Sequence, residues 1–193
     1  VGQLRAGWYQ DWGVNLNPSH PNGMEYVQTI RVSGSTHSPD LATLGPTVDN
    51  NPGAIWLIGN EPDCIWQDNS LPEEYAVVYH ELYTFIKGRD PTAKVAIGGI
   101  VQPTPLRLQY LDKVLEEYQR LYGEMIPVDI WNIHNAILQE KRGSWGADIP
   151  PGLDADEGML YGIQDNDNID VFKQHILAFR QWMKDKGERD KPL

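Results

Sequence analysis

The chain has 193 residues, with 27 acidic against 16 basic side chains and a formal net charge of −11. Its hydrophobic share of 40% and charged share of 22% are those of a folded globular protein, which excludes disorder. An acidic pI near 4.8 argues against nucleic acid and anionic membrane surfaces, no apolar run reaches bilayer length, and the single Cys64 excludes an internal disulfide or a thiolate metal cluster.

In chain order, short apolar runs alternate with helical stretches, the pattern of a parallel α/β architecture. The start VGQLRAGWYQ lacks a signal-peptide pattern, so any targeting segment is expected to have been removed or never to have existed. Strands are predicted at Leu4–Tyr9, Glu25–Val32 and Ala54–Gly59, the third nearly continuously apolar, as a strand buried on both faces is. Ser70 stands three residues before Glu73 with Pro72 between them, a capping-box start. Tyr75, Val78, Tyr79, Leu82 and Ile86 then recur at helical spacing, and Gly88 is the expected stop. A second buried strand, Lys94–Ile100, precedes a helix carrying Leu108, Leu111, Leu115, Tyr118 and Tyr122 and ending at Gly123. The strand Val128–His134 leads into Asn135–Asn168, rich in Gly and Pro and without periodicity. So long an irregular stretch after a strand's C-terminal end reads as a functional loop. A last helix carries Ile169, Phe172, Ile176, Phe179 and Met183 and ends at Gly187; the Asp/Asn cluster before it suits a helix start. The apolar helix stripes are core contacts.

Residues 1–193 read as one domain. Strands begin about every 30 residues, and eight such units need about 250, so the expected fold is a (β/α)8 barrel that is incomplete in this chain. Val128–His134 is then expected to present an open edge, with self-association through it.

The sharpest chemical signal is Trp56-Leu57-Ile58-Gly59-Asn60-Glu61-Pro62-Asp63, where a buried strand delivers an amide and a carboxyl at its C-terminal end. Partial burial of Glu61 is expected to raise its pKa toward that of a general acid, and Asn60 would bond a substrate hydroxyl. The plainer alternative has Glu61 capping a turn or pairing with a base. Seven tryptophans and nine tyrosines against three phenylalanines fit either core packing or stacking on sugar rings.

Asn60-Glu61-Pro62 after an apolar strand resembles the acid/base motif of the retaining, clan-A-type (β/α)8-barrel glycoside hydrolases. Gly7-Trp8-Tyr9-Gln10-Asp11-Trp12-Gly13 resembles the first strand of the glycosyl hydrolase catalytic-core families, Glu25-Tyr26-Val27 the next, and Val128–His134 the strand that brings a histidine into the cleft. The resemblance implies O-glycosyl hydrolysis with Glu61 as general acid/base, Asn60 at the sugar 2-hydroxyl or the nucleophile, and His134 lining the site, against the alternative of a merely hydrogen-bonded histidine. It implies a carbohydrate substrate, no cofactor, and a place outside the cell or at its surface rather than in the cytoplasm. Trp8, Trp12, Trp66, Trp131 and Trp145 become candidate stacking platforms, with Gln67 and Gln102 as candidate hydroxyl ligands; Trp56 and Trp182 read as packing. Asp63 is expected to hold its loop.

A retaining mechanism needs a second carboxyl about 5–5.5 Å from the first. The resemblance puts it on the strand after the last helix, where this chain ends as that strand begins. Glu140, in Gln139-Glu140-Lys141-Arg142, is the one loop alternative and reads as a solvated charged turn. A non-catalytic, carbohydrate-binding degenerate barrel is therefore the rival to a glycosidase. Dinucleotide, phosphate-loop and esterase-elbow motifs are missing, and the five histidines have no metal-ligand spacing, so no metal is expected.

Overall fold

The computed structural model describes residues 6–193. Leu4 and Arg5 of the first predicted strand lie outside the described residues; Trp8–Tyr9 forms β1, parallel to β2 (Glu25–Tyr26). Val27 splits the predicted 25–32 strand, its N–H donating to Tyr9 O at 2.9 Å, and β3 (Gln28–Ser33) continues into the main sheet. There β4 (Thr36–Ser38) runs antiparallel to β3, while β5 (Ile55–Asn60) and β6 (Lys94–Gly99) follow in parallel, in the order β4-β3-β5-β6. The helix-side face of β5 and β6 is fully covered, and the other face lines the inside of the arc. Ile30, Trp56, Ile58, Val95 and Ile97 pack beneath the helices, and Leu57 meets Val27 and Ala96 on the opposite face.

Among the described residues four α-helices cover the outer face: α1 (Leu41–Asn50), α2 (Pro72–Arg89), α3 (Pro105–Tyr122) and α4 (Ile169–Asp185). Gly123 closes α3 in the left-handed conformation, and Asn168 caps α4 by accepting from the N–H groups of Asp170 and Val171. Two expected helix ends are corrected. Leu71, not Ser70, is the N-cap of α2, and its N–H donates to Glu74 Oε2 at 2.9 Å; the Ser70 hydroxyl turns away to donate to Gly34 O. Gly88 lies inside α2, which stops at Asp90, whose carboxylate accepts from the N–H groups of Gly53 and Thr92. The predicted stripe of α4 is buried only toward its C-terminal half, at Phe179 and Met183, while Ile169 and Phe172 are exposed.

The predicted strand Val128–His134 is also corrected. It touches β6 through isolated parallel bridges at Ile130 and Ile133, because the Asp129 carboxylate takes the Val95 N–H at 2.8 Å and breaks the ladder. On its other edge, among the described residues, the Trp131 N–H donates to Pro192 O at 3.0 Å. The architecture is that of an incomplete (β/α) barrel, its described strands forming an open arc of parallel β-structure with helices outside. Residues 135–168 hold one short 3-10 turn, Ile163–Asp165, yet bury Ile137, Ala147, Ile149 and Leu153.

Candidate active site

β5 ends where the chain must turn sharply. Gly59 has φ +93°, and a Cβ there would stand 3.0 Å from the Asp68 carboxylate. Glu61 itself has φ +53°, an uncommon conformation for a residue with a side chain, and such strain gathers at functional sites. Two buried carboxylates brace the turn. Asp68 accepts from the Asn60 N–H and pairs with Arg31 Nη2 at 2.7 Å, and burial holds its carboxyl above the usual carboxylate range. Asp63 pairs with Arg107 Nη1 at 2.6 Å and accepts from the Val101 N–H, so it holds the loop as expected.

The Glu61 N–H donates to Gly99 O at 3.0 Å, which lays the turn against the end of β6. On the other side of Gly99 the His134 N–H donates to Ile100 O, and the imidazole lies close against the glycine: a Cβ on Gly99 would be 2.7 Å from His134 Cδ2. His134 Nδ1 and Glu61 Oε1 are 2.7 Å apart, with side chains 22% and 18% exposed. Glu61 Oε2 has no protein partner among the described residues. The contact ties one carboxyl oxygen to the imidazole and leaves the second for a ligand. Trp12, also left-handed at φ +64°, sets its ring edge-to-face with His134 at 5.9 Å.

Asn60 Nδ2 donates to Gln67 Oε1 at 3.2 Å, so the structure brings these two candidates together beside Glu61. Trp8, Trp12, Trp66 and Trp145 are 58%, 52%, 63% and 44% exposed. Trp8 and Trp12 line a cavity of about 490 Å³ with Gln10, Leu57, Ile130 and His134. This cavity is the open inner side of the arc; Trp66 and Trp145 stand on loops outside it.

Three expectations are corrected. Trp131 is 1% exposed, wedged edge-to-face against Phe179 and Trp182 with its indole N–H on Glu188; it borders the cavity but offers no face to a sugar. Gln102 is fully buried because its amide bonds both the O and the N–H of Leu138, clamping the long loop. Glu140 is buried rather than solvated: it accepts from Arg107 Nε at 2.9 Å, from Thr104 Oγ1 and from the Met159 N–H. Its neighbours Lys141 and Arg142 do face solvent, paired with Glu157 and Asp156. Arg107 and Gly99 escaped the sequence reading. The pair Gly98-Gly99 inside a buried strand was the available signal for close backbone approach.

No protein-family model matches the chain, and no curated protein matches it. Among solved structures it is similar to a GH128 subgroup III curdlan-specific exo-β-1,3-glucanase from Blastomyces gilchristii in complex with glucose: TM-score 0.62, 17% identity, covering 94% of this chain and 62% of that one. A GH128 subgroup I endo-β-1,3-glucanase from Amycolatopsis mediterranei in complex with laminaritriose gives TM-score 0.59 at 16% identity, over 93% and 59% of the two chains. A subgroup II endo-β-1,3-glucanase from Pseudomonas viridiflava gives TM-score 0.54 at 20% identity, over 65% and 51%. The chain thus spans between about half and three-fifths of these structures, and what it has in common with them is the fold.

Proposed function

We propose that this chain carries the proton-donor half of a glycoside hydrolase site acting on a β-1,3-glucan. The observation that carries the reading is the Glu61–His134 pair, on a strained turn at the C-terminal ends of parallel strands, where barrel sites are built. Glu61 would protonate the glycosidic oxygen through its unpartnered Oε2, and His134 would hold Oε1 in place. Asn60, with Gln67 on its amide, would meet a sugar hydroxyl, and Trp8, Trp12, Trp66 and Trp145 would offer ring faces. The fold shared with β-1,3-glucanases supports this choice of substrate.

In a retaining mechanism a second carboxylate attacks the anomeric carbon. Asp63 and Glu140 are occupied by Arg107, and Asp68 by Arg31 and the Asn60 N–H. In this reading none of these three is the nucleophile. The same occupied carboxylates favour the second reading, a barrel that binds glucan without cleaving it. Glu61→Gln separates the two: lost hydrolysis with retained laminaritriose affinity supports the enzyme, and a wild type that binds but releases no sugar supports the binding protein. Action on such a polysaccharide would take place outside the cell or at its surface.

A further inference from the structure

Arg107 sits in the first turn of α3 with its guanidinium fully buried. All five of its N–H groups have acceptors: Nε donates to Glu140 Oε1 at 2.9 Å, Nη1 to Asp63 Oδ2 and Asp63 O at 2.6 and 2.7 Å, and Nη2 to the carbonyls of Ala147 and Asp148 at 2.8 and 2.9 Å. These acceptors belong to two segments distant in sequence. Asp63 follows Glu61 by two residues, and residues 140, 147 and 148 lie on the long loop that begins immediately after His134. The two segments that present the pair are thus fastened to one planar group anchored on a helix.

Burying a cation between two carboxylates costs desolvation that apolar packing would avoid, so the arrangement is better explained by the geometry it enforces than by the stability it adds. Lysine could not replace it, since an ammonium has three donors and no fork. The strained Glu61 backbone also needs a restraint on its far side, and Asp63 supplies one.

We infer that Arg107 is a positioning residue, setting the approach of Glu61 to His134 by fixing the turn after β5 against the loop after His134. The activity arm of its test rests on the glycosidase reading; the spectroscopic arm does not. In protein labelled with 15N-histidine, the proton bridging His134 Nδ1 and Glu61 is assigned by its loss in Glu61→Ala, which removes the acceptor oxygen. Arg107→Lys and, at the far end of the network, Glu140→Gln are then compared with wild type, with folding checked by near-ultraviolet circular dichroism and cooperative melting. The expected result is a folded variant in which the bridging-proton signal is lost and kcat on laminarin falls about 100-fold, the scale of a 1 Å misplacement, with KM little changed. A folded Arg107→Lys with an unaltered bridging-proton signal overturns the inference. So does failure of both variants to fold, which would make Arg107 a folding residue only. A wild type that shows the bridging proton but hydrolyses no laminarin would sink the functional reading and leave the signal to decide the role of Arg107.

Discussion

Glu61 and His134, 73 residues apart in sequence, meet at 2.7 Å across the backbone of Gly99. Gly99 accepts the Glu61 N–H on its carbonyl and offers its bare Cα to the imidazole, so one residue of β6 places both partners.

Gly99→Ala is therefore expected to separate the pair. Its Cβ would lie 2.7 Å from His134 Cδ2 and 2.9 Å from Asn132 Nδ2, and the ring must shift. Overpacking of this kind costs about 1–3 kcal/mol, read as a lower denaturation midpoint. Loss of the bridging-proton signal with the fold intact is the matching spectroscopic outcome. An alanine variant with wild-type stability and signal would show that the imidazole is not held by this contact.

The tryptophans divide into two experimental classes. Trp66→Ala is expected to weaken binding of laminaritriose in calorimetry and leave the melting temperature nearly unchanged, because the ring is 63% exposed. Trp131→Ala is expected to cost about 3–5 kcal/mol of stability, since it empties a packed site between Phe179 and Trp182. Equal melting temperatures for the two variants would contradict the assignment.

His175 gives a pH dependence with a definite sign. Burial lowers its pKa below 6.5, and the ring is bonded on both sides, to Asn135 Oδ1 and the Tyr161 hydroxyl. The nearby Glu140 charge opposes the shift without reversing it. As pH falls through 6.5 the unfolded chain takes up this proton before the native state does, so stability falls with it. His175→Gln is expected to flatten the loss in urea midpoint between pH 7.5 and 5.5; an unchanged slope would assign the loss to other groups.

The legible parts of this molecule were those where local pattern and tertiary environment agree. β5 and β6 are nearly continuous apolar runs because one face packs under the helices and Leu57 and Ala96 of the other pack with Val27, and the stripe of α3 with Gly123 after it marks the helix and its end. α1 escaped because Gly45 and Pro46 lie inside it. Gly45 makes room for Arg89, and a Cβ there would be 3.1 Å from the guanidinium carbon, a reason visible only in three dimensions. Glu61 was readable from its strand end, whereas Glu140 looked solvated because its neighbours are charged. Its burial depends on Arg107, 33 residues away, and no local pattern carries that information. Trp131 and Gln102 were misplaced for the same reason: their burial depends on Phe179, Trp182 and Leu138, all distant in sequence.

If Glu61 donates the proton that cleaves a β-1,3-glucan, as proposed, reducing-sugar release from laminarin depends on its carboxyl. Wild type and Glu61→Gln would be compared, with laminaritriose affinity measured on both. The expected fall in kcat for Glu61→Gln is about 10²–10⁴-fold, the usual contribution of a general acid, at nearly unchanged affinity. Equal sugar release by the two proteins would contradict it.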